Sequence, residues 1–210
     1  MQKPDSLIFD MDGTLWDAVD TYTNSWNMIF ERIGLEKRIA RQQLEGMIGW
    51  EGKKVLQVLL GEFEEDRRNE IYAMVNEERK RLIPEVGGRM YEGVIEGLER
   101  LATKYQLFIV SNCAVGVIRL FIDWAGIDEY IVDEVAYGIN KMPKNHNIKL
   151  LVDQYDLKSP IYIGDTDGDG EQSRLAGLPF VFFTYGFGET DNYDLKFDDF
   201  TSFTDYFMGL

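Results

Sequence analysis

The sequence predicts an α/β protein: a Rossmann-like, mainly parallel sheet with helices on both faces, plus a small α-helical cap domain. Three observations predict it. Short apolar runs at residues 7–9, 107–110 and 161–163 lack the in-and-out alternation of a half-exposed sheet, as expected of strands covered on both sides. Stretches with helical spacing separate the later runs, giving the strand–helix alternation of a parallel sheet. Almost a hundred residues of mostly helical pattern stand between the first run and the second, too many for a simple crossover.

Taken in order, residues 6–10 read as a buried strand. Val19, Tyr22, Trp26, Ile29, Phe30 and Ile33 then recur at three- and four-residue spacing, and Gly34 suits the end of that helix. Val55, Leu56, Leu59 and Leu60 predict a second helix. Ile71, Met74 and Val75 predict a third, followed by Glu77-Glu78-Arg79-Lys80-Arg81, which reads as a solvated face. The chain is therefore expected to divide into a core (1–15 and 87–210) and a helical cap (16–86). Past Gly93, Val94, Leu98 and Leu101 mark a helix leading into a strand at 107–110, and another helix is expected over 115–124. A strand is expected over 130–135, and a helical stripe at Ile148, Leu151, Val152 and Tyr155. Strands at 161–163 and 180–183 complete the pattern. In such sheets ligands gather beyond the carboxyl ends of the strands.

Composition narrows the function. The 210 residues are 45% hydrophobic, enough for a substantial core. The net charge of −15, from 22 basic and 37 acidic side chains, argues against nucleic acid and anionic lipid as partners, since both need basic footprints. No run approaches the roughly 18 apolar residues of a membrane span. The single Cys113 forbids an internal disulfide. With polar Lys3-Pro4-Asp5 near the start in place of a secretory segment, a reducing, cytoplasmic location is expected, with the chain a monomer or homodimer.

The expected strand ends carry the chemistry. The first stops in Asp10-Met11-Asp12-Gly13-Thr14. Two carboxylates so close are tolerable if a cation neutralises them or one stays protonated, conditions that suit phosphoryl transfer. The second ends in Ser111-Asn112, and another ends in Gly164-Asp165, with Asp169 close behind. Lys141 and Lys144 both lie after the strand expected at 130–135, with Lys144 nearer the next helix. Alone, Asp-Gly is a turn signal and Ser-Asn a helix cap; their shared position at strand ends favours a site. Asp165-Thr166-Asp167-Gly168-Asp169 also looks like the start of a calcium loop, but the twelfth position is Ala176 where a glutamate is required.

In these motifs the chain resembles the haloacid dehalogenase-like hydrolases, and in its helical insertion, length and Tyr185-Gly186-Phe187-Gly188 tail it is similar to their phosphoglycolate-phosphatase-type branch. The resemblance implies Asp10 as nucleophile, Asp12 as general acid and base, and Ser111 and Lys144 as catalytic groups on the phosphoryl. Thr14, Ser111, Asn112 and Lys144 would bind phosphate. Asp10, Asp12 through its backbone carbonyl, Asp165 and Asp169 would hold Mg²⁺. The implied substrate is a small phosphate monoester such as phosphoglycolate. Asp12 argues against dehalogenase chemistry. A sugar-phosphate mutase would keep the same acids, and a non-catalytic binding protein on this fold is the alternative of a different class. Cys113 reads as packing, lacking a clear histidine partner. Trp50, between Gly49 and Gly52, is the aromatic placed to face a site from the cap.

Overall fold

The computed structural model describes residues 3–210. The chain opens with β1 (Ser6–Phe9) and β2 (Trp16–Asp17). Four helices follow: α1 (Val19–Arg32), α2 (Arg41–Glu45), α3 (Gly52–Leu60) and α4 (Glu65–Val86). Next come β3 (Arg89–Met90), α5 (Val94–Ala102), β4 (Gln106–Ser111) and α6 (Val117–Ala125). Then follow β5 (Asp133–Ala136), α7 (Tyr137–Asn140), α8 (Lys144–Gln154) and β6 (Pro160–Gly164). The chain finishes with α9 (Asp167–Ala176), β7 (Phe180–Phe183), β8 (Leu195–Phe197) and α10 (Phe200–Gly209).

Six parallel strands form one sheet in the order β5-β4-β1-β6-β7-β8. β1 lies where the chain reverses direction across the sheet. Its register pairs Phe9 with Ile109 on one side and with Ile163 on the other. Successive side chains of β1 enter opposite layers, as strand geometry requires. Leu7 and Phe9 join the layer of α5, α6 and α10, while Ile8 joins that of α8 and α9. Both layers are closed to solvent, so the apolar runs need no polar face. The fold class is as the sequence predicts.

Both chain crossings between the sheet and α1–α4 pass through a two-stranded antiparallel ribbon, with Trp16 opposite Met90 and Asp17 opposite Arg89. Trp16 is fully buried against Phe121 and Trp124. Arg41 ties α2 to this ribbon through Asp17 at 2.6 Å. α1 and α4 pack together, and Glu78 bridges them, pairing with Arg32 at 2.6 Å and Arg81 at 2.7 Å.

Several details depart from the expectation. The strand expected over 130–135 begins later. Asp128–Tyr130 forms a 3-10 turn, and pairing starts where Phe108 meets Asp133. The third helix extends well beyond the apolar triplet that signalled it, from Glu65 to Val86. Helices α9 and α10 and strand β8 lie outside the elements expected from the apolar pattern. In α10, Asp199 accepts from the Ser202 N–H at 2.7 Å as its cap, and Phe200, Phe203 and Phe207 pack into the core. Phe200 and Phe203 meet Phe9 directly.

Candidate active site

Three strand ends converge. Asp10 follows β1, Ser111 ends β4, and Asp165 follows β6; the Asp10 N–H donates to the Ile163 carbonyl at 2.8 Å. Asp10, Asp165 and Asp169 are each at most 2% exposed. One oxygen from each lies within 4.8 Å of the others. Lys144, at the start of α8, is the nearby cation: its Nζ stands 2.6 Å from Asp169 Oδ1 and 3.1 Å from Asp10 Oδ1. Lys141 does not enter the cluster; it ends α7 with φ +58° and is exposed.

The second and third acids are held by different means. Asp165 accepts from Thr14 Oγ1 at 3.0 Å and from the Phe187 N–H at 2.8 Å. Thr14, expected to bind phosphate, is thus engaged with Asp165. A Cβ on either Gly13 or Gly186 would overlap the Asp165 carboxylate, so both glycines cradle it, and Gly13 also has φ +85°. Asp169 serves α9 in a capping box: Thr166 Oγ1 and N–H donate to Asp169 Oδ2 at 2.6 and 3.1 Å. The segment weighed as a calcium loop is this helix start.

Asp12 stands apart. Its Oδ1 accepts from Tyr22 of α1 at 2.9 Å, and it lines a cavity of about 60 Å³ with Asp10, Ser111, Asn112, Trp50 and Arg79. Burial, with the Asp10 charge second, pushes the Asp12 carboxyl up to about 7. Burial also raises Asp10, to about 6, with Lys144 opposing and Asp169 adding to the rise. Asp165 is raised well above the usual carboxylate range, chiefly by burial. Burial likewise pushes the Cys113 thiol up, which disfavours the nucleophilic thiolate.

Asn112 bridges core and cap: its Nδ2 donates to the Gly49 carbonyl at 2.8 Å. Trp50, next in sequence, lines the cavity, and Lys54 lies over its ring at 3.6 Å. Tyr22 and Arg79 are the site residues the sequence reading missed. Tyr22 reads as one more apolar position in α1. Arg79 sits in the run taken as a solvated face, and here the structure corrects the reading: Glu78 and Arg79 are 5% and 8% exposed. The cause is tertiary, since α1 covers this side of α4.

The haloacid dehalogenase-like hydrolase family profile matches residues 7–183. The chain belongs to this family. It is 27% identical over 208 residues to a phosphoglycolate phosphatase of Rhodobacter capsulatus, covering 94% of each chain. A predicted phosphoglycolate phosphatase from Haemophilus somnus superposes with a TM-score of 0.85 at 22% identity, over 98% of this chain and 99% of that one. A haloacid dehalogenase-like hydrolase from Streptococcus pneumoniae also gives 0.85, at 20% identity, over 99% of this chain and all of the other. These two structures share the fold. Among the described residues, no helix of this hydrolase is long and apolar enough to cross a membrane.

Proposed function

We propose that this protein is a magnesium-dependent phosphatase that hydrolyses a small organic phosphate monoester through an aspartyl-phosphate on Asp10. The observation that carries the reading is the separation of two neighbouring acids into two environments. Asp10 faces Lys144 and the other carboxylates. Asp12, on the cavity that both acids line, is bonded to Tyr22 and stands outside the carboxylate cluster, its carboxyl raised to about 7 against about 6 for Asp10. One carboxylate held against a lysine and a neighbour that carries a proton near neutral pH is the arrangement that a nucleophile and a general acid need.

The donor set fits a divalent cation. Asp10 Oδ1 is buried and, despite its ion pair with Lys144, accepts no hydrogen bond. Clustered carboxylate oxygens suit Mg²⁺, which takes oxygen ligands and retains waters. Asp10, Asp165, Asp169 and the Asp12 carbonyl are the proposed protein donors. Bound there, the ion would neutralise the carboxylates and the phosphoryl oxygens.

In the proposed reaction, an Asp10 oxygen bonds to phosphorus as the ester P–O bond breaks. Asp12 gives its proton to the departing oxygen, then takes one from the water that cleaves the acyl phosphate. Lys144 balances negative charge, Ser111 donates to a phosphoryl oxygen, and Asn112 holds the cap edge beside it. Thr14 acts by orienting Asp165. Little intrinsic nucleophilicity is needed, because positioning and charge stabilisation dominate phosphoryl transfer. Residues 16–86 are proposed to act as a cap that limits leaving-group size and excludes bulk water. The relatives' activity makes 2-phosphoglycolate the first substrate to test.

The test is phosphate release from a panel of small esters, with and without Mg²⁺. Release should require the metal and fall roughly 10⁴-fold or more in Asp10→Asn, with the fold intact by circular dichroism. Release from no ester would overturn the reading. Transfer of phosphate between sugar positions without net release would assign a mutase instead.

A further inference from the structure

Among the described residues Arg79 makes no ion pair, and the carboxylate that feels its charge, Asp12, lines the same cavity without reaching it. Arg79 is 8% exposed, and its Nε is buried with no hydrogen-bond partner. Its neighbour Glu78 is turned to Arg32 and Arg81. The Asp12 oxygen Oδ1 is taken by Tyr22. The guanidinium lies instead on the Tyr22 ring, 4.4 Å from its centre. A ring face attracts a cation but accepts none of the five N–H bonds in its plane. A buried guanidinium left in this state costs stability unless something else meets it.

What it shares is the catalytic cavity. Arg79 lines the space that Asp10, Asp12 and Ser111 also line, with Trp26 and Met47 among its apolar walls. The volume, about 60 Å³, holds about four to six water-sized spheres. The Arg79 end therefore admits only a few heavy atoms, while the adjoining space beside Trp50, Asn112, Lys144 and Asp169 is larger, about 260 Å³.

We propose that Arg79, braced on Tyr22, receives a carboxylate on the leaving group, so that the preferred substrates are short phosphate esters of hydroxy acids. The proposal rests on the phosphatase reading of this site. A planar fork of N–H donors matches a carboxylate bidentately. One guanidinium among apolar walls suits a monoanion better than a second phosphate, which would need more donors. Bare aliphatic esters would leave the guanidinium unpaired, and a site built around a buried polar group rejects such analogues strongly.

The test compares 2-phosphoglycolate with ethyl phosphate, in which a methyl group replaces the carboxylate. The native enzyme should favour the first by about 100-fold or more in kcat/KM. Arg79→Met should cut that preference to under about tenfold, and Arg79→Lys should keep part of it. Equal losses on both esters would mean a structural role and overturn the proposal, as would a native preference of less than about threefold. Failure of the phosphatase reading looks different, because neither ester would then release phosphate. A binding measurement covers that case: calorimetric titration of 2-phosphoglycolate into Asp10→Asn and into the same variant carrying Arg79→Met. At least about thirtyfold weaker binding in the second is expected. Equal affinity, or no binding to either, overturns the proposal.

Discussion

The strand-end cluster and the cap that faces it leave different kinds of buried polar atom without a partner along the cavity: acceptors, Asp10 Oδ1 and Asn112 Oδ1, on the core side, and donors on the cap side. In the cluster, Asp165 and Asp169 have protein partners: Thr14 and Phe187 for one, Thr166 and Lys144 for the other. Across the cavity, Arg79 Nε and Trp26 Nε1 are buried without partners. Because buried polar groups are normally satisfied, the difference separates two tasks. On the core side Asp165 and Asp169 are held in advance, and the open acceptor on Asp10 suits a cation. The cap side is left incomplete, so that a ligand finishes it.

Four substitutions probe this contrast. The largest effect should come from Lys144→Met, which strips the cluster of its cation. Unpaired buried carboxylates should lower stability by about 3–5 kcal/mol in urea unfolding, and added Mg²⁺ should return part of it. Full stability without metal would break the picture of a cluster held by charge pairing. Next is Gly13→Ala, which forces a Cβ into Asp165 at a positive φ. It should cost about 1–3 kcal/mol and weaken Mg²⁺ affinity measured by calorimetry; unchanged affinity would show that Asp165 does not need its cradle. Asn112→Ala removes the link to the Gly49 carbonyl and should cost about 1 kcal/mol. Faster proteolysis between residues 40 and 52 would show the cap edge released, and an unchanged cleavage rate would assign the link no latching role.

The smallest effect belongs to Glu78→Gln, away from the cavity. Arg81 first and Arg32 second hold the Glu78 carboxyl below its usual value. Its contribution is therefore present above the unfolded value near about 4.3 and is lost as pH falls through the lower folded one. Both arginines are about half exposed, so the loss at pH 7 should stay below about 1 kcal/mol. Thermal melts of native and variant should converge only once the pH has fallen below the lowered folded value of Glu78. A gap persisting there would mean that Glu78 acts through packing.

The same contrast explains what could be read from sequence. Asp10, Ser111 and Asp165 were legible because each follows an apolar run at a strand end, where topology dictates the site. Lys144 was distinguishable from Lys141 only by its nearness to a helix, and the structure separates them by orientation. Arg79 was illegible: inside Glu77-Glu78-Arg79-Lys80-Arg81 nothing local distinguishes a charge that α1 will cover. The start of β5 was misplaced because Ile131 and Val132 are as apolar as a strand, while register with β4 selects Asp133 onward. Helix α10 was readable in principle from Asp199 and the spacing of Phe200, Phe203 and Phe207.

The strand order also sets a timetable for synthesis. β1 emerges first, yet its two neighbours in the sheet are β4 and β6. Thr14 and the Asp165 that it bonds are separated by 151 residues. At about 5–20 residues per second, a ribosome needs on the order of ten seconds or more to travel between them. Through that interval Asp10 exists without Asp165 or Asp169, and for most of it without Lys144. The hydrolytic centre is therefore completed late in translation, and until β6 emerges the half-made chain must keep a central strand with at least one open edge soluble.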